Sequence, residues 1–210
     1  MGEIKNIIFD LGGVIINLDI PKTIAEFNKL THRPFEAIYT QLQQTPLFDD
    51  FDKGRITEEK FFEEIKRLLE APVTNEQLRH AWNAMLLDFP LHRLELLKTL
   101  KTKYRLFLLS NTNETHITEF EKQLQLTRGH KNLEPFFEKV YYSCRINMRK
   151  PDTEIFELVL NENNLKPRET LFLDDSPQHI EGALKTGIRA HFLVKEKEFG
   201  ALLKELHLME

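Results

Sequence analysis

Two rhythms of hydrophobic positions divide the chain. Near-continuous apolar runs of strand length cover Ile4 to Phe9, Tyr104 to Leu109, Val140 to Ser143, Thr170 to Leu173 and Ala190 to Val194. Runs without polar alternation belong to strands covered on both faces, as in a buried parallel sheet. Between them apolar residues recur at helical spacing, as in Leu91, Leu94, Leu97 and Leu100, or Ile155, Phe156, Val159 and Leu160. That spacing lays one apolar stripe along a helix, which then packs on a sheet face. The pattern predicts an α/β core with a doubly wound parallel sheet.

The alternation stops between Asn17 and Phe89. There Ile24, Phe27 and Leu30, then Phe61, Phe62, Ile65, Leu68 and Leu69, then Leu78, Trp82 and Met85 all follow helical spacing. Thr57 stands where an N-cap would start the helix of Phe61, and Thr74 with Gln77 has capping-box spacing, so several short helices are expected. The expected organisation is a core of residues 1–16 and 90–210, interrupted after its first strand by a helical cap of residues 17–89. No internal repeat suggests a solenoid.

Composition fits this picture. The 210 residues accommodate one core and one smaller module, and 41% hydrophobic with 30% charged residues describe a packed globular protein, not a disordered one. A net charge of −4 without a basic face argues against a nucleic-acid partner. The nearest basic run, Lys98, Lys101, Lys103 and Arg105, sits at the end of a helical pattern, where cations complement the helix dipole. Cys144 is the sole cysteine, which excludes an intrachain disulfide and a cysteine-based zinc site and fits a reducing compartment. No basic leader precedes the first apolar run, and no window nears the roughly 18 apolar residues of a membrane span, so a cytoplasmic protein without membrane contact is expected.

In open α/β sheets ligands bind beyond the carboxyl ends of the strands, so the polar residues after each apolar run are the candidates. Asp10 follows Ile7-Ile8-Phe9, Ser110-Asn111-Thr112 follows Leu106 to Leu109, and Asp174-Asp175 follows Leu171-Phe172-Leu173. Lys150 precedes Pro151 at an expected helix start. Each piece alone has a plain reading as a turn, a cap or a proline in a first helical turn. Together, at successive strand ends, they point to a site where three carboxylates, one ammonium and one hydroxyl converge. Carboxylates so crowded take up protons unless a cation joins them, and an all-oxygen donor set suits Mg²⁺.

With these residues the chain resembles the haloacid dehalogenase (HAD) superfamily of hydrolases. The matching stretches are Phe9-Asp10-Leu11-Gly12-Gly13-Val14, Leu109-Ser110-Asn111-Thr112, Lys150-Pro151 and Leu173-Asp174-Asp175-Ser176. The resemblance spans almost the whole chain and implies a Rossmann-like doubly wound sheet with an inserted helical cap. Within the superfamily, the Asp-Leu-Gly opening, the Ser-Asn-Thr-Asn turn and Met148 to Pro151 are most similar to bacterial α-D-glucose-1-phosphate phosphatases. It implies a Mg²⁺-dependent phosphatase acting on a small phosphorylated metabolite, a sugar 1-phosphate for example. Asp10 would be the nucleophile that is transiently phosphorylated, and Ser110 and Lys150 would hold the phosphate, with the Asn111 backbone N–H as a further donor. The implied Mg²⁺ ligands are the carboxylates of Asp10 and Asp175 and the carbonyl of Gly12, with Asp174 acting directly or through water.

Gly12 departs from the family pattern. Most phosphatases of the superfamily carry a second Asp at that position to protonate the leaving oxygen, a contribution of typically 10² to 10⁴ in rate. Asp19, a cap residue or a water is the expected substitute. Two rival readings follow: a 2-haloacid dehalogenase, which also lacks the second Asp but needs no metal, and a non-catalytic binding module on the same fold. Phe48 to Arg55 is expected to be a loop between cap helices, either touching substrate or simply leading into the Thr57-capped helix. Trp82 is expected in the core of the cap. The eight histidines, His32 among them, share no spacing and receive no role.

Overall fold

The computed structural model describes residues 3–31, 34–35, 46–195 and 197–209; His32 lies outside these. The chain opens with β1 (Asn6–Phe9) and then runs through α1 (Ile20–Leu30), α2 (Pro46–Asp52), α3 (Glu58–Leu69) and α4 (Asn75–Asn83). It continues with α5 (Leu91–Leu100), β2 (Arg105–Ser110), α6 (Glu114–Arg128), β3 (Lys139–Tyr142), α7 (Ser143–Ile146) and α8 (Thr153–Glu162). Finally come β4 (Thr170–Asp174), α9 (Pro177–Lys185), β5 (Arg189–Phe192) and α10 (Phe199–Glu205).

The strands form one parallel sheet in the order β3-β2-β1-β4-β5. Successive side chains on a strand point to opposite faces. Ile7, Phe9, Leu106, Leu108, Leu171 and Leu173 therefore pack on one side, with Leu94 and Leu97 of α5, Ile117 and Phe120 of α6, and Leu203 of α10. Ile8, Phe107, Leu109 and Phe172 face the other side, against Ile155, Phe156 and Val159 of α8 and Ala183 of α9. Both faces are covered, which is why the strands read as continuous apolar runs. The edge strand β5 departs from that expectation. It pairs with β4 alone, its residues are half-buried or exposed, and it ends at Phe192, short of Val194. Strand starts also shift: Tyr104 lies outside β2, and its hydroxyl donates to the Leu208 carbonyl (2.7 Å). Ser143 opens α7 instead of ending β3.

Between Ile20 and Met85 a separate apolar cluster forms, centred on Phe27, Phe61, Phe62, Ile65, Leu78 and Trp82. Thr57 caps α3, its hydroxyl accepting from the Lys60 N–H (3.3 Å). Thr74 and Gln77 make both halves of a capping box (3.2 and 2.9 Å). One expectation is overturned here. Most of the Phe48 to Arg55 stretch is the helix α2, which starts at Pro46 and buries Phe48 and Phe51 on one face. Phe51 stacks on Phe61 with ring centroids 4.1 Å apart. The aromatic spacing drives this short helix onto its neighbours, burying Asp52 with the two rings and leaving Asp49 and Asp50 half-buried. Two connections return the chain to the sheet, where Leu18 and Leu86 pair as an antiparallel bridge. Among the described residues no helix is long and apolar enough to cross a membrane.

Candidate active site

Asp10 leaves the carboxyl end of β1 with its N–H donating to the Leu173 carbonyl of β4 (2.9 Å). Its Oδ1 accepts from the Lys150 ammonium at 2.6 Å, and the same ammonium donates to Asp174 Oδ2 at 2.7 Å. Lys150 and Asp174 are wholly buried. Asn111 fixes the lysine backbone: its Nδ2 donates to the Lys150 carbonyl and its Oδ1 accepts from the Lys150 N–H, both at 2.9 Å. Carboxylate oxygens of Asp10, Asp174 and Asp175 lie within 4.8 Å of one another. Gly13 makes room for that cluster, since at its φ of +69° a Cβ would stand 2.2 Å from Asp175 Oδ2. Asp10, Gly12, Ser110, Asn111 and Asp175 line one cleft, with Lys150 and Asp174 behind its surface.

Both oxygens of Asp174 are engaged. Its Oδ1 accepts from the Ser176 N–H (2.8 Å), and His179 Nδ1 lies 2.9 Å from the same oxygen. With Lys150 on Oδ2, the carboxylate is held from three sides. Pro151 is not a first helical residue; α8 begins at Thr153 with Asp152 as its N-cap.

The electrostatics follow from one ammonium among three carboxylates. Burial, then the charges of Asp10 and Asp174, push Asp175 up to about 7. Burial raises Asp10 as well, with Lys150 opposing and Asp174 reinforcing the rise. Burial likewise works against ionised Asp174, but Lys150 and His179 outweigh it and leave its pKa below the ordinary value. For Lys150, burial favours the neutral amine, and the two aspartates reverse this and hold the ammonium. Negative charge remains in excess, on oxygen donors of the type a hard divalent cation takes. The residues present fit Mg²⁺.

The cleft has a volume of about 160 Å³, and the helical segment supplies one wall with Trp82, Met85 and Leu86. Trp82 belongs to that segment's core, as expected, yet also faces the cleft. Its Nε1 donates to Asn113 Oδ1 (3.4 Å), and its ring stacks on His116 with centroids 5.0 Å apart. Asn113 caps α6 through the His116 N–H (3.1 Å) and donates its Nδ2 to Asp52 Oδ1 (3.2 Å). Asp52 lines the cleft, whereas Asp19 does not. Asp52 belongs to the Phe48 to Arg55 stretch that the sequence offered as a substrate contact, whereas Asn113, His116, Arg149 and His179 received no role. The Asn113–His116 spacing is a readable N-cap signal; the rest depend on contacts between distant parts of the chain.

A family model described as "Haloacid dehalogenase-like hydrolase" matches residues 7–193. The chain belongs to this family. Over 177 residues, 84% of this hydrolase and 85% of the relative, it is 30% identical to the D-ribitol-5-phosphate phosphatase of Bacteroides thetaiotaomicron. Its fold matches a HAD family enzyme from the same organism, crystallised as a variant with magnesium and inorganic phosphate, at a TM-score of 0.90 and 35% identity over 95% of this chain and 98% of that one. A HAD-like family hydrolase from Porphyromonas gingivalis matches at a TM-score of 0.88 and 30% identity over 100% of both chains. These relatives agree with the hydrolase fold and sugar-phosphate chemistry expected from the sequence, and none of them singles out glucose 1-phosphate.

Proposed function

We propose that this hydrolase is a Mg²⁺-dependent phosphatase acting on the phosphate monoester of a small sugar or polyol through an aspartyl-phosphate. The observation that carries this reading is the convergence of Asp10, Asp174 and Asp175 within 4.8 Å, with the buried Lys150 ammonium bonded to two of them. Asp10 attacks phosphorus, the bond from phosphorus to the leaving oxygen breaks, and the departing alkoxide takes its proton from water; a further water then splits the acyl phosphate, freeing inorganic phosphate and the Asp10 carboxylate. Ser110, the Asn111 backbone N–H and Lys150 hold the phosphate oxygens. Asp10, Asp175 and the Gly12 carbonyl would hold Mg²⁺, which would neutralise charge on the transferring group. Asp174, through its bond to Lys150, orients that ammonium rather than ligating the ion. The helical segment from residue 17 to 89 acts as the cap that closes the cleft.

Gly12 narrows the substrate. Without an acid beside Asp10 the leaving oxygen departs with little proton assistance, which favours sugar 1-phosphates, whose anomeric oxygen is the better leaving group. The Bacteroides relative favours a second reading, an acyclic polyol 5-phosphate. A phosphate-release screen that includes glucose 1-phosphate, glucose 6-phosphate and ribitol 5-phosphate, with and without EDTA, separates the two. Asp10→Asn is nearly isosteric but cannot form the acyl phosphate. It is expected to lose more than 95% of turnover while keeping its circular dichroism, an order of loss typical of removing a nucleophile. A folded Asp10→Asn protein with substantial activity, or full activity in excess EDTA, would overturn the mechanism.

A further inference from the structure

His179 presents its two ring nitrogens to two different environments. Nδ1 lies 2.9 Å from Asp174 Oδ1 and 3.0 Å from Oδ2. Asp174 is held as a carboxylate, which only accepts, so Nδ1 carries a proton and donates. Nε2 has no hydrogen-bond partner among the described residues and is not sealed from solvent, the side chain being 13% exposed. His179 lines the cleft, and with its Nδ1 edge turned to wholly buried Asp174, the cleft meets the Nε2 edge. Asp174 and Lys150 stand between the ring and Asp10, at 2.9, 2.7 and 2.6 Å along that chain of bonds, so the ring is close to the nucleophile without bonding to it.

Other polar side chains around the cleft are already engaged. Arg149 donates to Asp49, Asp52 accepts from Asn113 (3.2 Å), and His116 meets the Trp82 carbonyl through Nε2 (3.2 Å) and Asn113 through Nδ1 (3.4 Å). Leu18, Ile20, Met85 and Leu86 complete the lining and offer no side-chain hydrogen bond. Gln178 lines the same cleft but is exposed, whereas His179 is pinned by its bond to Asp174 and offers a fixed edge. The hydroxyls of a bound sugar or polyol give up water in such a cleft and need polar partners there. A hydroxyl both donates and accepts, so it matches Nε2 in either protonation state of the ring.

We infer that His179 is a specificity-determining residue: Asp174 fixes its ring, and its Nε2 hydrogen-bonds a hydroxyl of the substrate's leaving group. The cleft accordingly selects phosphate esters of alcohols that carry further hydroxyls over esters of plain alkyl alcohols. This rests on the phosphatase reading above and adds to it the side chain that reads the leaving alcohol.

The test compares wild type, His179→Asn and His179→Leu on ribitol 5-phosphate and on pentyl phosphate, which has the same carbon chain without hydroxyls. Asparagine places an amide donor where Nδ1 stands and so keeps a partner for Asp174, but it has nothing at the Nε2 position; leucine removes both. Wild type is expected to favour ribitol 5-phosphate in kcat/KM, and in His179→Asn that preference is expected to fall by about tenfold or more, the order of one hydrogen bond, chiefly through KM. His179→Leu should lose the preference equally and also lower kcat on both esters, because Asp174 loses a partner. A preference in folded His179→Asn within twofold of the wild-type value would overturn the assignment, since a role confined to holding Asp174 lowers both esters together. A wild type that hydrolyses p-nitrophenyl phosphate with Mg²⁺ but does not favour ribitol 5-phosphate over pentyl phosphate would overturn it too. Failure of wild type to hydrolyse p-nitrophenyl phosphate at all would instead remove the phosphatase reading, and the inference with it.

Discussion

Asp175 holds the residue-scale balance of the site. Its carboxyl is pushed up to about 7 by burial and by Asp10 and Asp174, so in the metal-free protein it is half protonated near neutrality. A cation must displace that proton, so apparent Mg²⁺ affinity falls as pH drops below about 7 and levels off above it. Calorimetric titration should show affinity about tenfold weaker at pH 6 than at pH 8; an affinity flat across that range would contradict the placement of Asp175 among the ligands. Gly12 is the second residue with a distinct consequence. A Cβ there would come 2.6 Å from Leu18 Cδ1, the end of a flexible side chain, and 3.9 Å from Asp10 Oδ2. Gly12→Asp is therefore expected to fold once Leu18 rotates, and to place a carboxyl beside the nucleophile. It should raise activity on glucose 6-phosphate relative to glucose 1-phosphate by tenfold or more if proton transfer limits the alkyl ester. Equal loss on both substrates would point to another acid already in the cleft, with Asp52 the nearest candidate in chemistry.

At the scale of elements, the start of α6 is a junction between the helical segment and the sheet. Asn113 caps that helix and also meets Trp82 of α4 and Asp52 of α2. His116 sits one turn in, buried at the wall of the cleft, with Nε2 3.2 Å from the Trp82 carbonyl. Burial lowers its pKa to about 4, against an opposing contribution from that carbonyl. The unfolded chain binds a proton at this histidine near pH 6.5 and the folded chain does not until about pH 4, so acidification through that window favours unfolding. The contribution is of order 3 kcal/mol at pH 4 relative to pH 7, from a depression of that size at about 1.4 kcal/mol per unit. Urea unfolding of His116→Gln should show a shallower loss of stability between pH 7 and pH 4 than wild type. Parallel pH profiles would mean that the histidine takes up its proton in the folded state.

For the whole molecule, the question is how the helical segment is seated on the core. Beyond the Asp49–Arg149 pair, Asn147 Nδ2 donates to the Lys53 carbonyl (2.8 Å) and Ser143 Oγ donates to the Asp52 carbonyl (2.6 Å). Gly54 completes this contact. Its φ is +65°, and a Cβ would stand 2.0 Å from the Cys144 carbonyl oxygen. Gly129, at φ +75°, has nothing within 4 Å of such a Cβ and serves as the control. Both alanine substitutions carry the left-handed penalty of about 1 kcal/mol, but Gly54→Ala must also displace backbone. It should destabilise by at least about 1 kcal/mol more than Gly129→Ala, and raise KM because the cleft is built from both parts. Equal effects in denaturant unfolding would show that the seating yields easily.

The amino-acid sequence by itself determined the parallel sheet, the helices that cover it, and the helical insertion after β1. Apolar runs, helical spacing and the caps at Thr57 and Thr74 are local features, fixed by backbone geometry and burial over a few residues. It also marked Asp10, Ser110, Lys150, Asp174 and Asp175, because strand ends in such a sheet all point to one edge. What it did not contain in readable form was the partnership of residues far apart along the chain. Asp49 and Arg149 are 100 positions apart. His179 was one histidine among eight until α9 set its ring against Asp174. Phe48 to Asp52 looked like a loop until Phe51 found Phe61, and the docking of that short helix is what carries Asp49 to Arg149 and Asp52 into the cleft. Local periodicity specifies which face of an element is buried. It leaves open which polar groups meet when two buried faces close, and that pairing, decided by packing in three dimensions, gives this site its electrostatics.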